Sequence, residues 1–187
     1  LLVFSPENIY YLTALDHFGF FSPHILIVPR EGDMHLVVRA MEVATFRAQI
    51  RNAVFHGHSD AQSPAEMAVR VIRRMGLASA CVGLEKHALF SPIGLYEGLL
   101  KALPHVEWKD ASHMIDRLRL IKSAAELAYV EEASRISAAM MEAARDTARA
   151  GVSEREIAAQ VMHAMVMAGG ETPGFGPFIR ATASMPL

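Results

Sequence analysis

The chain has 187 residues, of which 52% are hydrophobic, and its 18 basic and 20 acidic side chains give a formal net charge of −2. This composition predicts a folded domain with a sizeable core. It excludes a disordered protein, because disordered sequences are poor in apolar residues. The balanced charge offers no basic surface for nucleic acid, so we expect no nucleic-acid partner. No apolar run reaches the roughly 20 residues of a membrane span, so we expect no membrane partner either.

The single cysteine, Cys81, stands in a short apolar run of the sequence. One cysteine leaves no second thiol in this chain for an internal disulfide, and unpaired cysteines are often buried. We therefore expect the Cys81 thiol to be buried in a strand and the protein to occupy a reducing, cytoplasmic setting.

The N-terminal part of the sequence alternates short apolar runs with helical stretches, which predicts an α/β fold. The predicted strands cover residues 1–4, 24–28, 35–38, 53–56, 80–84 and 106–108. Turn-forming residues at 29–33 are few enough to join the second and third strands as an antiparallel hairpin. We therefore expect a mixed sheet.

Two helices are predicted within this part, over residues 64–75 and 92–102. Each begins with a serine followed by proline, Ser63 before Pro64 and Ser91 before Pro92. A serine at the N-cap and a proline in the first turn are typical helix-start signals. Gly76 and Pro104 then end the two helices.

A short connector follows residues 108–112 and ends in residues 117–120, which predicts a domain boundary, with one domain over residues 1–116 and a second over 117–187. The second domain opens with a capping box, Ser123 and Glu126, and a helix that runs to about residue 150. A second box, Ser153 and Glu156, opens a helix that ends at 169–170, before a strand from residue 179. Small residues along one stripe of the first helix predict close packing against another element.

Histidines are the main candidates for a metal site. His56 and His58 stand two apart in a predicted strand end, where alternate residues share a face, so two imidazoles could reach one ion. The favoured interpretation is that they are solvated, because Ser59 and Asp60 follow at once. His163, among apolar residues of the last helix, is expected to be partly buried and structural.

A loop at residues 15–23 combines aromatic residues with Asp16 and His17 between glycine and proline. A purely structural loop seldom carries so much apolar surface. Function and anchoring to the core are both left open for this loop.

Several motifs together resemble the creatinase/prolidase family of pita-bread metallopeptidases. The segment 5–13, S-P-E-N-I-Y-Y-L-T, is similar to the early helix of the creatinase-type N-terminal domain, with Ala14 in place of the family's usual glycine. The segments 82–85 and 110–127 resemble its late strand and its interdomain junction. The segments 151–157 and 169–171 resemble turns at the start of the pita-bread domain.

The resemblance implies a creatinase-type N-terminal domain with a mixed sheet, followed by the first two helices and first strand of a pita-bread α+β domain. It also implies a homodimeric hydrolase whose catalytic half binds two divalent metals, Mn, Co or Zn, through two aspartates, a histidine and two glutamates. None of these ligands has a counterpart in the sequence. We therefore assign no catalytic or metal residue and expect the chain alone to bind no metal and to be inactive, lacking its first element and ending before the ligands.

In such dimers the N-terminal domain serves dimerisation and substrate gating. The resemblance places His17 and Phe20 in the loop that one subunit lends to the active site of the other. Phe20 stands where creatinases place an aromatic against the substrate, whereas Ser22 stands where they use an arginine. His17 and Phe20 are therefore the predicted substrate-lining residues.

The implied activity is that of an Xaa-Pro dipeptidase or aminopeptidase acting on a peptide. Two alternatives stay open. One is a small-molecule C–N hydrolase or lyase of the same family, creatinase-like or ectoine-hydrolase-like. The other is a non-catalytic pita-bread protein that binds peptides.

Overall fold

The computed structural model describes residues 1–16, 21–89, 91–171 and 179. Its chain divides into two compact units, Leu1–Leu120 and Ile121–Leu187. Among the described residues, no helix combines the length and the hydropathy that crossing a membrane requires.

The first unit is built on a sheet of six strands. They are β1 (Leu2–Val3), β2 (Ile25–Ile27), β3 (Met34–Arg39), β4 (Ala53–His58), β5 (Cys81–Leu84) and β6 (Glu107–Asp110). Their order across the sheet is β4-β3-β2-β1-β5-β6. The β1–β2 and β2–β3 pairs are antiparallel, and the remaining three pairs are parallel. The α/β class and the mixed sheet are confirmed, and each predicted strand lies within two residues of an observed one.

Five α-helices and a 3-10 turn at Ala40–Glu42 accompany the sheet in the described part of the first unit. The helices are α1 (Pro6–Thr13), α2 (Val43–Gln49), α3 (Pro64–Arg74), α4 (Ile93–Ala102) and α5 (Met114–Leu120). Ser63 caps α3 as predicted, since its Oγ accepts the Ala65 N–H at 3.2 Å. The predicted cap of α4 is wrong by one residue, because Pro92 has an extended backbone and is itself the N-cap, so that Ser91 lies outside the helix.

Apolar side chains cover both faces of the sheet. Val37 and Leu84 belong to a core shared with α3 and α4. Leu36 and Val38 point the other way and join a core shared with α1, α2 and α5. Side chains alternate along a strand, so the continuous apolar runs of the sequence correspond to strands buried on both faces.

Cys81 is exposed, so the expectation of a buried thiol is wrong. Its neighbours Val82 and Leu84 are buried in the core beneath α3 and α4. Cys81 begins β5, and the alternation of the strand directs its side chain away from Val82.

The described part of the second unit consists of α6 (Ala124–Thr147) and α7 (Glu154–Met167). The first capping box is confirmed, with the Ser123 N–H donating to Glu126 Oε2 at 2.8 Å and the Glu126 N–H donating to Ser123 Oγ at 3.3 Å. At the second box, Ser153 Oγ accepts the Glu156 N–H at 3.2 Å. The first helix ends at Thr147, short of the predicted residue 150.

The end of α7 is a Schellman motif. Gly169 has a φ of +92°, its N–H donates to Val166 O at 3.0 Å, and the Gly170 N–H donates to Met165 O at 2.9 Å. The left-handed conformation favours glycine, which explains why Gly169 ends the helix as predicted. Of the strand predicted from residue 179, only Ile179 lies within the described residues.

Little of the second unit is buried in the part that the structure describes. Val161 and Met165 on α7 are buried, whereas no residue of α6 is. The prediction that the small-residue stripe of α6 packs closely against another element is wrong for most of the stripe. Leu127 and Val130 on the stripe are about half exposed. Among the described elements of this unit, α6 packs against α7. His163 is exposed rather than partly buried.

Candidate functional site

His17 and Phe20, the predicted substrate-lining residues, lie outside the described residues. The chain just before them is anchored to α2. The Asp16 N–H donates to Gln49 Oε1 at 2.8 Å, and Gln49 Nε2 donates to Asp16 O at 2.8 Å. The predicted role of His17 and Phe20 stays a prediction.

His56 and His58 both belong to β4, and each has a different environment. His56 Nε2 lies 2.8 Å from Nδ1 of His35 on the neighbouring strand, and the two rings stack with centroids 5.1 Å apart. His58 is buried, with Nδ1 3.0 Å from Ser59 O, and its Nε2 has no hydrogen-bond partner among the described residues. The interpretation of His58 as solvated is therefore wrong.

The electrostatics of the His35–His56 pair oppose a further positive charge. Burial lowers the pKa of His56, and the charges of His35 and Arg74 lower it further. The structure thus favours a neutral His56 ring. In the described ranges, no group of three or more histidine, cysteine, aspartate or glutamate residues could hold a metal ion.

A buried carboxylate, Glu85, follows β5 at the end of the sheet where β1 and β5 finish in parallel. Its Oε2 accepts the backbone N–H groups of Phe4 at 2.6 Å and of Ser5 at 2.7 Å. Ser5 is the N-cap of α1, yet its side chain makes no capping hydrogen bond. Glu85 therefore satisfies the backbone at the entrance to α1 from outside the helix.

Asn8 extends the contacts of Glu85 to α5. Its buried amide Nδ2 donates to Glu85 Oε1 at 2.6 Å and to Asp116 Oδ1 at 3.0 Å. Its Oδ1 accepts from Arg119 Nη1 at 2.8 Å. One amide group thereby joins α1, the segment after β5 and α5 through polar contacts.

His87, His113 and Asp116 form what we call the histidine–carboxylate cluster. His113 Nδ1 lies 2.9 Å from Asp116 Oδ2, and His113 Nε2 lies 3.1 Å from His87 Nδ1. Hydrogen bonds from His113 and Asn8 lower the pKa of Asp116. The cluster lies just after β5 and β6, two parallel strands whose carboxyl ends meet at one edge of the sheet.

Sequence reasoning missed this cluster because its members are distant along the chain. His87 is separated from His113 by α4 and β6, and pairing of β5 with β6 brings them together. The sequence feature that could have indicated the cluster is the position of each histidine shortly after a predicted strand. Parallel strands place such positions at a common edge, although the order of strands has to be known first.

The sequence matches two protein families in succession. Residues 1–121 match the Creatinase/Prolidase N-terminal domain, and residues 128–185 match Metallopeptidase family M24. The first match alone covers more than half of the chain.

Curated relatives align with nearly the whole chain. An uncharacterized hydrolase/peptidase, y4tM, of Sinorhizobium fredii is 32% identical over 183 residues, which are 93% of this chain and 46% of that protein. A Xaa-Pro dipeptidase of Pyrococcus horikoshii is 26% identical over 96% of this chain and 46% of its own length. An ectoine hydrolase of Halomonas elongata is 22% identical, and the alignment covers 96% of this chain and 49% of that protein. The chain thus spans about half the length of the curated relatives it matches.

Solved structures share the fold. A prolidase of Thermococcus sibiricus aligns with 90% of this chain and 45% of its own, with a TM-score of 0.75 and 21% identity. At this identity the likeness concerns the fold alone, and it includes the creatinase-type N-terminal domain and the start of the pita-bread domain. Together with the family match over residues 1–121, it establishes that this chain belongs to the creatinase/prolidase family.

Proposed function

We propose that this chain is the N-terminal half of a hydrolase that cleaves Xaa-Pro peptides. The observation that carries the proposal is the succession of a creatinase/prolidase N-terminal domain and an M24 metallopeptidase match along one chain. The relative from Pyrococcus horikoshii, a Xaa-Pro dipeptidase that aligns with 96% of this chain, supports the choice of substrate.

The proposed enzyme uses two divalent metal ions, Mn, Co or Zn. In such a site the metals would activate a water molecule and polarise the scissile carbonyl. The described residues do not fit this pair of ions, because no three potential ligands come together among them. We therefore assign this chain no step of the chemistry and propose that the ligands belong to the other half of the enzyme.

For the chain itself we propose a role in homodimerisation and substrate gating. His17 and Phe20 would line the active site of the other subunit, next to the anchor that Asp16 and Gln49 provide. The presence of one cysteine suits a reducing compartment, and we propose a cytoplasmic location.

The activity is tested on the full-length protein loaded with Mn or Co. We expect hydrolysis of dipeptides with proline in the second position, abolished by a chelator, and much slower hydrolysis of the matched alanine dipeptides. Ectoine is the second substrate to assay, because the relative from Halomonas elongata is an ectoine hydrolase. Ring opening of ectoine without dipeptide cleavage would favour the small-molecule hydrolase, and no reaction with either would favour a non-catalytic binder.

The gating role is tested with His17→Ala and Phe20→Ala in the same full-length enzyme. We expect a higher KM for the dipeptide in both variants, with His105→Ala as the matched control because His105 is exposed. Unchanged KM and kcat in both variants would contradict gating. Sedimentation of the full-length protein as a monomer would contradict the dimer.

A further inference from the structure

The two imidazoles of the histidine–carboxylate cluster have the spacing of neighbouring donors around one metal ion. His87 Nδ1 and His113 Nε2 are 3.1 Å apart. A tetrahedral zinc ion with Zn–N bonds of about 2.0–2.1 Å separates two donors by roughly 3.3 Å. An ion would replace the hydrogen bond between these two nitrogens, with both rings turned so that their lone pairs converge on it and with the proton that bridges them displaced.

Asp116 fixes the tautomer that such an ion requires. Its Oδ2 lies 2.9 Å from His113 Nδ1, so the proton on Nδ1 is held there and the lone pair of Nε2 faces His87. Metal-binding histidines commonly donate their second N–H to a carboxylate in this way. Asp116 is itself held by the buried amide of Asn8 at 3.0 Å, so the orientation of His113 is set from the core outward.

The backbone at His113 supports the same conclusion. His113 has a φ of +62°, in the left-handed region that non-glycine residues seldom adopt. Such conformations persist where the surroundings impose them, and they are frequent at binding sites. Here the conformation presents the His113 ring to both Asp116 and His87.

Electrostatics distinguish this pair from the other close pair of imidazoles, His35 and His56. Arg74 acts on His56 as a like charge that disfavours a cation. His113, by contrast, contacts the Asp116 carboxylate, and the pKa of Asp110 is lowered first by hydrogen bonds from Ser112 and then by Lys86 and His87. The Asp116 carboxylate thus favours a divalent cation beside His113, and near His87 the Asp110 carboxylate offsets the charge of Lys86.

We propose that His87 Nδ1 and His113 Nε2 bind one divalent cation of the zinc class, with Asp116 as the positioning residue and water completing the coordination. Imidazole donors suit zinc, nickel and copper, whereas manganese prefers oxygen ligands. The site is distinct from the proposed dinuclear centre, and it revises the expectation that the chain alone binds no metal. Its existence does not depend on peptidase activity.

The test is a titration of zinc chloride into the full 187-residue chain near pH 7.5, followed by the ring resonances of its histidines in NMR spectra. We expect His87 and His113 to shift together and to saturate at one zinc ion per chain, with His35 and His56 unchanged. In calorimetry, His87→Ala and His113→Ala should abolish this binding. Asp116→Asn should weaken it by roughly 10- to 100-fold, as is typical of changes to the partner of a metal-bound histidine.

His56→Ala is the matched control, because it removes one ring of the other close pair and should leave the zinc affinity within about twofold. Saturable shifts of the His35 and His56 rings instead, or no ring shift at millimolar zinc, would overturn the proposal. The wild-type spectra decide the matter even if a variant fails to fold. An Asp116→Asn variant with wild-type affinity would exclude the positioning role.

Discussion

Glu85 is a buried carboxylate whose oxygens are occupied by donors of α1 and the residues just before it. Oε2 accepts two backbone N–H groups, from Phe4 and Ser5, and Oε1 accepts the amide of Asn8. Glutamine has the same shape but replaces one acceptor by an N–H₂ donor, which would face another donor. We expect Glu85→Gln to lower the free energy of unfolding by about 1–3 kcal/mol, measured by urea denaturation with Trp108 fluorescence as the probe.

Glu97→Gln provides the comparison for this prediction. Glu97 is exposed on α4, so the same chemical change should alter the free energy of unfolding by no more than about 0.5 kcal/mol. Trp108, the single tryptophan, packs against the core beneath α3 and α4 and so reports on the unit that contains both glutamates. Equal effects of the two substitutions would show that the Glu85 contacts add no stability.

His56 should make the stability of the first unit depend on pH. Burial and the charges of His35 and Arg74 lower its pKa below the ordinary 6.5, so between that folded-state pKa and pH 6.5 the unfolded chain binds more protons than the folded one. Stability therefore rises with pH in this window and is lost as the pH falls below about 6.5. We expect His56→Gln to lose less free energy of unfolding between pH 7.5 and 5.0 than the wild type.

The matched control for this pH effect is His105→Gln, since His105 is exposed on the loop after α4. Its stability should follow the wild-type pH profile. A His56→Gln profile parallel to that of the wild type would mean that His56 is protonated equally in both states.

At the scale of an element, the end of α1 contains a strained residue that can be relieved. Ala14, the C-cap, has a φ of +60° and donates its N–H to Tyr10 O at 2.7 Å. Glycine adopts this conformation without strain, because it has no Cβ. We expect Ala14→Gly to raise the free energy of unfolding by about 0.5–1 kcal/mol in urea denaturation, the relief of strain exceeding the added entropy of the unfolded chain.

Ala48→Gly is the companion substitution, because Ala48 is exposed and has ordinary helical surroundings in α2. At this position the substitution should lower the free energy of unfolding by about 0.5–1 kcal/mol. Destabilisation of similar size at Ala14 would show that the left-handed backbone carries little strain.

The strands and most helix starts could be predicted because their causes are local. Apolar runs bounded by turn residues identified all six strands, and serine caps identified the starts of α3, α6 and α7. The wrong assignment of the α4 cap is also local, since Ser91 and Pro92 carry equivalent signals one residue apart. The N-cap is the residue just before the first one with helical dihedral angles, and the neighbouring sequence alone does not determine which residue that is.

The features that sequence reasoning missed depend on tertiary contacts. The histidine–carboxylate cluster needs the β5–β6 pairing, and the burial of His58 depends on the elements packed over the end of β4. The exposure of Cys81 depends on what packs over the beginning of β5, because Gly83 on the same face of the strand lies close to Ala111 and Leu1. A single sequence shows the alternation of a strand but leaves open which of its faces the rest of the chain covers.

At the scale of the whole molecule, the two units differ in how much they bury. The first has apolar cores on both faces of its sheet, including Ile25 and Leu26 with no exposed surface. In the described part of the second, α6 has no buried residue and exposes Leu127 and Met141. The stability of an isolated helix is marginal without tertiary packing, so the two units should differ in stability as well.

Hydrogen exchange of this chain should resolve that difference. We expect the backbone amides of β2 and β3 to exchange more slowly than those in the middle of α6, by roughly tenfold or more. The reason is that opening of the sheet exposes a buried core, whereas opening of α6 exposes little buried surface. The chain spans about half the length of the relatives it matches, and any further chain that covers the apolar face of α6 should increase the protection of α6. Mass spectrometry of peptides from both regions measures this, with α3 as the internal control for a well-packed helix. Protection of α6 equal to that of α3 in the 187-residue chain would show that contacts within this chain already stabilise it.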